Sequence, residues 1–179
     1  MNHTDVSWDP APPTYGFLQM IERPVGGGDT GFANLYLAYE RLSPTMQRCL
    51  EGLSAWHDMG AGRAFRSKSG DGVTDAALDL VPGAEHAIVC THPVTGRKYL
   101  YVNRGFTRHI IGLHADESEA LLGVLFDQCV SANLQWRYQW SVGDVVWWDE
   151  RPTQHFGVAD FYPQRREVGR VNITAPSGK

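Results

Sequence analysis

Apolar residues run along this chain in short bursts separated by turn-forming residues, a pattern that predicts several strands and a few helices. Tyr15–Glu22 reads as a strand that follows a proline-rich turn at Pro10, Pro12 and Pro13. Ser43-Pro44 has the form of a helix start, with serine as cap and proline at the first position. Met46, Cys49, Leu50, Leu53 and Trp56 then fall at helical spacing and predict one buried face. Residues 86–92 and 98–103 flank Pro93-Val94-Thr95-Gly96 and predict a hairpin. A helix is predicted from Asp116 or Ser118 to about Val130. A strand pair is predicted at residues 134–140 and 144–149, joined at Ser141-Val142-Gly143, and a last strand at residues 169–173. Residues 60–84 are rich in Gly, Ser and Asp and predict a long loop able to close over a site. No internal repeat, linker or low-complexity tract breaks the chain, so residues 1–179 are expected to form a single, strand-rich domain.

Composition narrows the function. The chain has 179 residues, 42% apolar and 20% charged, enough for a proper core and unlike a disordered segment. Twenty acidic against 16 basic residues give a net charge of −4, which argues against a nucleic-acid binder with a basic face. Cys49, Cys90 and Cys129 are odd in number and widely spaced, the usage of a reducing compartment. The N-terminus has no signal-peptide pattern, and the apolar run at residues 121–126 is far too short to span a bilayer. A soluble, cytoplasmic protein with no membrane partner is expected.

The candidate chemistry lies at the two ends. His3-Thr4-Asp5 opens the chain; Thr153-Gln154-His155 stands near its end, followed by Arg165-Arg166 and Arg170. Two histidines and one carboxylate can occupy one face of an octahedral iron(II) ion and leave the other positions open. On a strand, His3 and Asp5 would point to the same side while Thr4 faces away. An arginine shortly after the third ligand could hold a dicarboxylate in a bidentate pair. His57-Asp58 are adjacent and cannot aim at one ion from a regular strand. His86, His92, His109 and His114 have no partner spacing, and the six tryptophans are expected to fill the core.

These residues resemble the taurine dioxygenase (TauD/TfdA) family of Fe(II)/2-oxoglutarate-dependent dioxygenases. Gly27-Gly28-Asp29-Thr30 looks like its G-G-D-T segment and Val102-Asn103-Arg104-Gly105-Phe106-Thr107 like its V-N-x-G-F-T segment. Residues 144–149 and 159–166 resemble the stretches around its T-Q-H, so the likeness runs from residue 3 to about 173. The resemblance implies a mainly β fold with helices, a double-stranded β-helix or jelly-roll core. It implies Fe(II) held by His3, Asp5 and His155, and 2-oxoglutarate anchored by Thr30 and Arg166, with O2 as second co-substrate. It matches Arg170 to the arginine that meets the substrate's anionic group, and Val6 and Phe106 to pocket-facing positions. The implied reaction hydroxylates a small anionic organic substrate (a sulfonate, sulfate ester or carboxylate, as in taurine catabolism) and yields succinate and CO2. A jelly-roll remnant that only binds metal or a small anion stays open as the alternative. A zinc-dependent hydrolase is a weaker third reading. Family members carry a substantial segment before the H-x-D, and only Met1 and Asn2 stand there in this chain. An N-terminally truncated, oligomerising domain that binds iron weakly is therefore expected.

Overall fold

The computed structural model describes residues 2–60 and 83–174. The expected lid at residues 60–84 falls almost wholly outside the described residues. Eleven strands and three α-helices, with a short 3-10 turn at Ala132–Leu134, are described: β1 Tyr15–Glu22, β2 Thr30–Asn34, α1 Leu35–Glu40, α2 Pro44–Leu50, β3 Ser54–His57, β4 Ala84–Ala87, β5 Val89–Thr91, β6 Lys98–Leu100, β7 Thr107–Ile110, α3 Ala115–Cys129, β8 Gln135–Tyr138, β9 Val145–Asp149, β10 Thr153–Gly157 and β11 Glu167–Ile173. Two antiparallel three-stranded sheets, β11-β1-β9 and β10-β2-β8, form the jelly roll, and a third, β4-β3-β7, lies beside it with the β5-β6 hairpin.

Strand alternation sorts the side chains of the two main sheets. Leu18 and Met20 of β1, Phe32 of β2, Trp148 of β9 and Trp140 form a buried cluster, with Val146, Val168 and Tyr138 packed against it. The opposite face of β10 serves a second, larger core. There Leu35 and Ala38 of α1, Leu50, Ala55, Leu100, Ile110, and Leu122 and Leu125 of α3 are buried together. Gln154 Nε2 reaches into this layer and donates to the Val102 carbonyl at 2.6 Å, while the next residue, His155, turns to the other side of the strand. Burial of the apolar faces supplies most of the driving force, on the order of 1.5–3 kcal/mol for each large side chain.

Several expectations need correction. The apolar positions from Met46 to Trp56 do not share one helix face. Helix α2 starts at Pro44 with the Ser43 hydroxyl capping Met46 N–H, as expected, but it ends at Leu50; Gly52 turns at φ +79°, and Trp56 belongs to β3. Strands β8 and β9 do not pair. Gly143 turns at φ +90° between them, and β8 joins β2 while β9 joins β1, so the connection crosses from one sheet to the other. The tryptophans do not all fill the core, since Trp136 is 59% and Trp147 63% exposed. No helix among the described residues is long and apolar enough to cross a membrane.

Candidate metal centre and anion anchor

His155 sits in the middle of β10, opposite Phe32 on β2. His3 joins it from the other edge: His3 N–H donates to the His155 carbonyl at 3.1 Å and His155 N–H to the His3 carbonyl at 2.9 Å. This bridge, rather than a regular strand through residues 3–5, brings the histidines side by side. Thr4 turns away and donates to the Thr153 carbonyl at 3.1 Å. The chain bends directly after Asp5. Val6 takes a left-handed φ of +56°, a conformation that costs a β-branched residue on the order of 1–3 kcal/mol, and Asp9 N–H closes the turn on the Val6 carbonyl.

The three donor groups converge. His3 Nε2 lies 3.3 Å and His155 Nε2 3.9 Å from Asp5 Oδ1, and one ligand atom from each residue falls within 4.8 Å of the others. That spread suits a single ion. The protonation states suit it too. Burial alone would raise the Asp5 carboxyl, but the His3 hydrogen bond and the charges of His155 and Arg170 hold it well below the usual carboxylate range. Burial, with the charge of His3 beside it, brings His155 down to about 3, so its imidazole stays neutral near pH 7 and keeps a lone pair for a metal. Trp148 packs on the His155 ring at 4.8 Å and Phe106 stands edge-on to His3 at 5.9 Å. Phe32 and Trp148 also wall an open groove of about 290 Å³ that reaches Trp136 and Trp147.

Arg170, on β11 opposite Leu18, is not directed at open space. Its Nη1 donates to both oxygens of Asp5 at 3.0 Å, and Asn172 Nδ2 adds a third bond at 3.1 Å. Arg166 lies just before β11. Its Nε donates to the Gly28 carbonyl at 2.6 Å and its Nη2 to Thr30 Oγ1 at 3.1 Å. Among the described residues no carboxylate lies within salt-bridge distance of Arg166, and burial lowers its affinity for its own proton. A half-buried guanidinium with spare donors and no direct ion-pair partner among the described residues, felt only at longer range by the Asp29 charge, is able to take an anion. Its neighbour Arg165 points outward and pairs with Glu22 at 2.9 Å. Gly27 and Gly28, both at positive φ, let the loop before Thr30 fold against Asp160, which accepts from Gly28 N–H at 2.8 Å; Arg137 ties Asp160 to Asp29.

Two supporting groups escaped the sequence reading. Glu150 is fully buried and accepts from the Asp5 backbone N–H at 3.2 Å; burial and the Asp5 charge push it up to about 8. His57, also fully buried, has Nδ1 3.1 Å from Ser7 Oγ and Nε2 3.3 Å from Thr107 Oγ1, while Asn103 Nδ2 donates to Ser7 Oγ at 3.1 Å. The network ties the turn after Asp5 to the segment that carries Phe106. No local spacing signals either group, because each contact joins residues some 50 to 150 positions apart.

A jelly roll with two histidines and a carboxylate closing on one point defines a class of metal-centred β proteins. Residues 1–172 match the family described as taurine catabolism dioxygenase TauD, TfdA family, and the chain belongs to it. It is 39% identical over 175 residues to an alpha-ketoglutarate-dependent sulfonate dioxygenase of Saccharomyces cerevisiae, covering 97% of this chain and 42% of that protein. It is 33% identical over 172 residues to the alpha-ketoglutarate-dependent 2,4-dichlorophenoxyacetate dioxygenase of Cupriavidus pinatubonensis, covering 94% and 58%. The crystal structure of AAD-2 in complex with Mn(II) and N-oxalylglycine superposes with a TM-score of 0.85 at 26% identity, covering all of this chain and 71% of that one. The chain thus spans about half the length of the curated relatives it matches.

Proposed function

We propose that this chain carries the metal and co-substrate sites of a 2-oxoglutarate-dependent dioxygenase that hydroxylates a small anionic organic substrate. The observation that supports this best is the meeting of His3, Asp5 and His155 at one point, with Arg166 on Thr30 nearby and in no salt bridge among the described residues. Fe(II) would be held by these three residues, and the distal carboxylate of 2-oxoglutarate by Thr30 and Arg166. Bound iron would supply the open coordination positions at which 2-oxoglutarate and O2 meet, for oxidative decarboxylation to succinate and CO2 coupled to substrate hydroxylation.

The chain's own residues do the rest. Asp5 stays ionised because the His3 hydrogen bond and the charges of His155 and Arg170 outweigh its burial, and Arg170 and Asn172 hold its oxygens in place. His155 stays neutral because it is buried against Trp148, and the same packing keeps water from that side. Arg170 is 46% exposed and keeps donors beyond those given to Asp5, so its open edge can meet a sulfonate, sulfate ester or carboxylate. Val6 and Phe106 would line the same pocket. The two curated relatives are named for a sulfonate and for a chlorinated aryloxyacetate, both anionic.

The test is substrate-independent succinate formation by the 179-residue chain with Fe(II) and 2-oxoglutarate, alongside Mn(II) titration. His155→Ala should retain its circular dichroism, lose tight metal binding and form no succinate. Metal binding by wild type without any succinate would favour a protein that only binds metal or small anions. Unchanged metal affinity in His155→Ala would remove the proposed ligand set.

A further inference from the structure

The hydroxyl of Thr30 has one hydrogen to give and two lone pairs to offer. Both lone pairs are taken. Trp140 Nε1–H donates to Oγ1 at 3.0 Å and an Arg166 Nη2–H donates to it at 3.1 Å. Indole and guanidinium N–H groups can only donate, so neither bond can reverse its direction. Thr30 and Trp140 are 1% and 3% exposed, and the Tyr138 ring holds the indole edge-on at 4.8 Å. The hydroxyl hydrogen is thus what Thr30 has left for a third partner. Arg166 adds further N–H donors and no acceptor.

We infer that Trp140 sets the polarity of this anchor: by occupying Thr30 it makes the pocket donor-only, so that it takes a carboxylate and rejects the neutral carboxamide of the same shape. This rests on the reading that the distal carboxylate of 2-oxoglutarate binds at Thr30 and Arg166. An amide would turn its NH2 toward donors and leave hydrogens unpaired in a dry pocket, which a site built for hydrogen bonding rejects strongly. Without the indole N–H, Thr30 regains an accepting lone pair and can satisfy that NH2. Trp140 touches no reacting atom; it acts through Thr30 as a positioning residue.

The experiment titrates Mn(II)-loaded chain with 2-oxoglutarate and with 2-oxoglutaramate, its C5 carboxamide, by calorimetry. Wild type should favour the acid. Trp140→Phe keeps a ring and loses the donor; it should narrow the ratio of the two affinities by roughly tenfold and leave Mn(II) affinity unchanged. Thr30→Val should narrow the ratio similarly, Thr30→Ser should preserve it, and adding Trp140→Phe to Thr30→Val should change it no further. If Trp140→Phe weakens acid and amide by the same factor, the indole is only packing and the inference is overturned. Should Trp140→Phe fail to fold, Thr30→Val and Thr30→Ser decide: equal ratios in the two overturn it. Wild type that binds no 2-oxoglutarate overturns the proposed function as well, an outcome distinct from a retained ratio in Trp140→Phe.

Discussion

His57 shows how a single buried side chain can make stability depend on pH. Burial, helped by the nearby His86, lowers it to about 3 from an ordinary value of 6.5. Between those two values the unfolded chain binds a proton that the folded chain does not. Folded stability therefore rises with pH across that window, is complete above about 6.5, and is lost as pH falls toward 3. One such group contributes a slope of up to about 1.4 kcal/mol per pH unit. In the metal-free chain His155 adds a second proton over the same window. Urea melts at pH 4, 5, 6 and 7 should show His57→Gln with a shallower dependence than wild type, by about one proton. A slope that did not change would mean that His57 is not held neutral. The same substitution removes the bond to Ser7, so Mn(II) affinity should fall modestly even at pH 7, where titration plays no part.

At the scale of elements, β2 carries a glycine where the Phe156 ring of its neighbour β10 lies across it. A Cβ on Gly31 would lie 2.2 Å from Phe156 Cε1, so the ring on β10 has to move. Gly31→Ala should cost about 1–3 kcal/mol and weaken metal binding through the neighbouring His155; adding Phe156→Leu should recover much of both. Thermal melts and Mn(II) titration on the three variants would test this, and a neutral Gly31→Ala would contradict it. Local pattern revealed the elements that carry their own signals: β1, the start of α2, the β5-β6 hairpin, α3 and β11. Strands β2, β3, β7 and β10 are four or five residues long and carry polar or glycine residues at positions such as Thr30, Gly31, His57, Thr107 and Gln154, so alternation did not mark them. Strands β8 and β9 both formed where expected, but their pairing failed because adjacency along the chain was taken for pairing in space. The site was legible only in part. Motif order pointed to His3, Asp5, His155 and the arginines, whereas the Trp140–Thr30 bond and the Ser7–His57–Asn103 network arise from long-range packing that leaves no periodic trace.

At the scale of the whole molecule, an apolar surface among the described residues lies outside the core. On the outer side of β11-β1-β9, Phe17 is paired with Trp147 on one flank and Val171 on the other, and Tyr15 with Ile173. Val145, Trp147, Val171 and Ile173 are all exposed, by 44–63%. A contiguous apolar face of this kind limits solubility. Trp147→Lys combined with Val171→Lys should raise the concentration at which the chain stays monodisperse in light scattering, with Mn(II) affinity unaltered. No gain in monodispersity would show that this face does not govern association.

The backbone bridge between His3 and His155 also sets an order of events. Each main sheet is closed by strands far apart along the chain, β1 by β9 and β11, β2 by β8 and β10. Such pairings form slowly, because closure entropy is spent before any contact returns it. His3 docks against β10 across about 150 positions of chain, so the three ligands meet only after that long-range closure. Competence to bind metal is then a late product of refolding rather than a nucleus for it. In stopped-flow refolding, tryptophan fluorescence should reach its native level before Co(II) absorbance develops, and the interval between the two signals would measure how long the finished barrel waits for its first few residues.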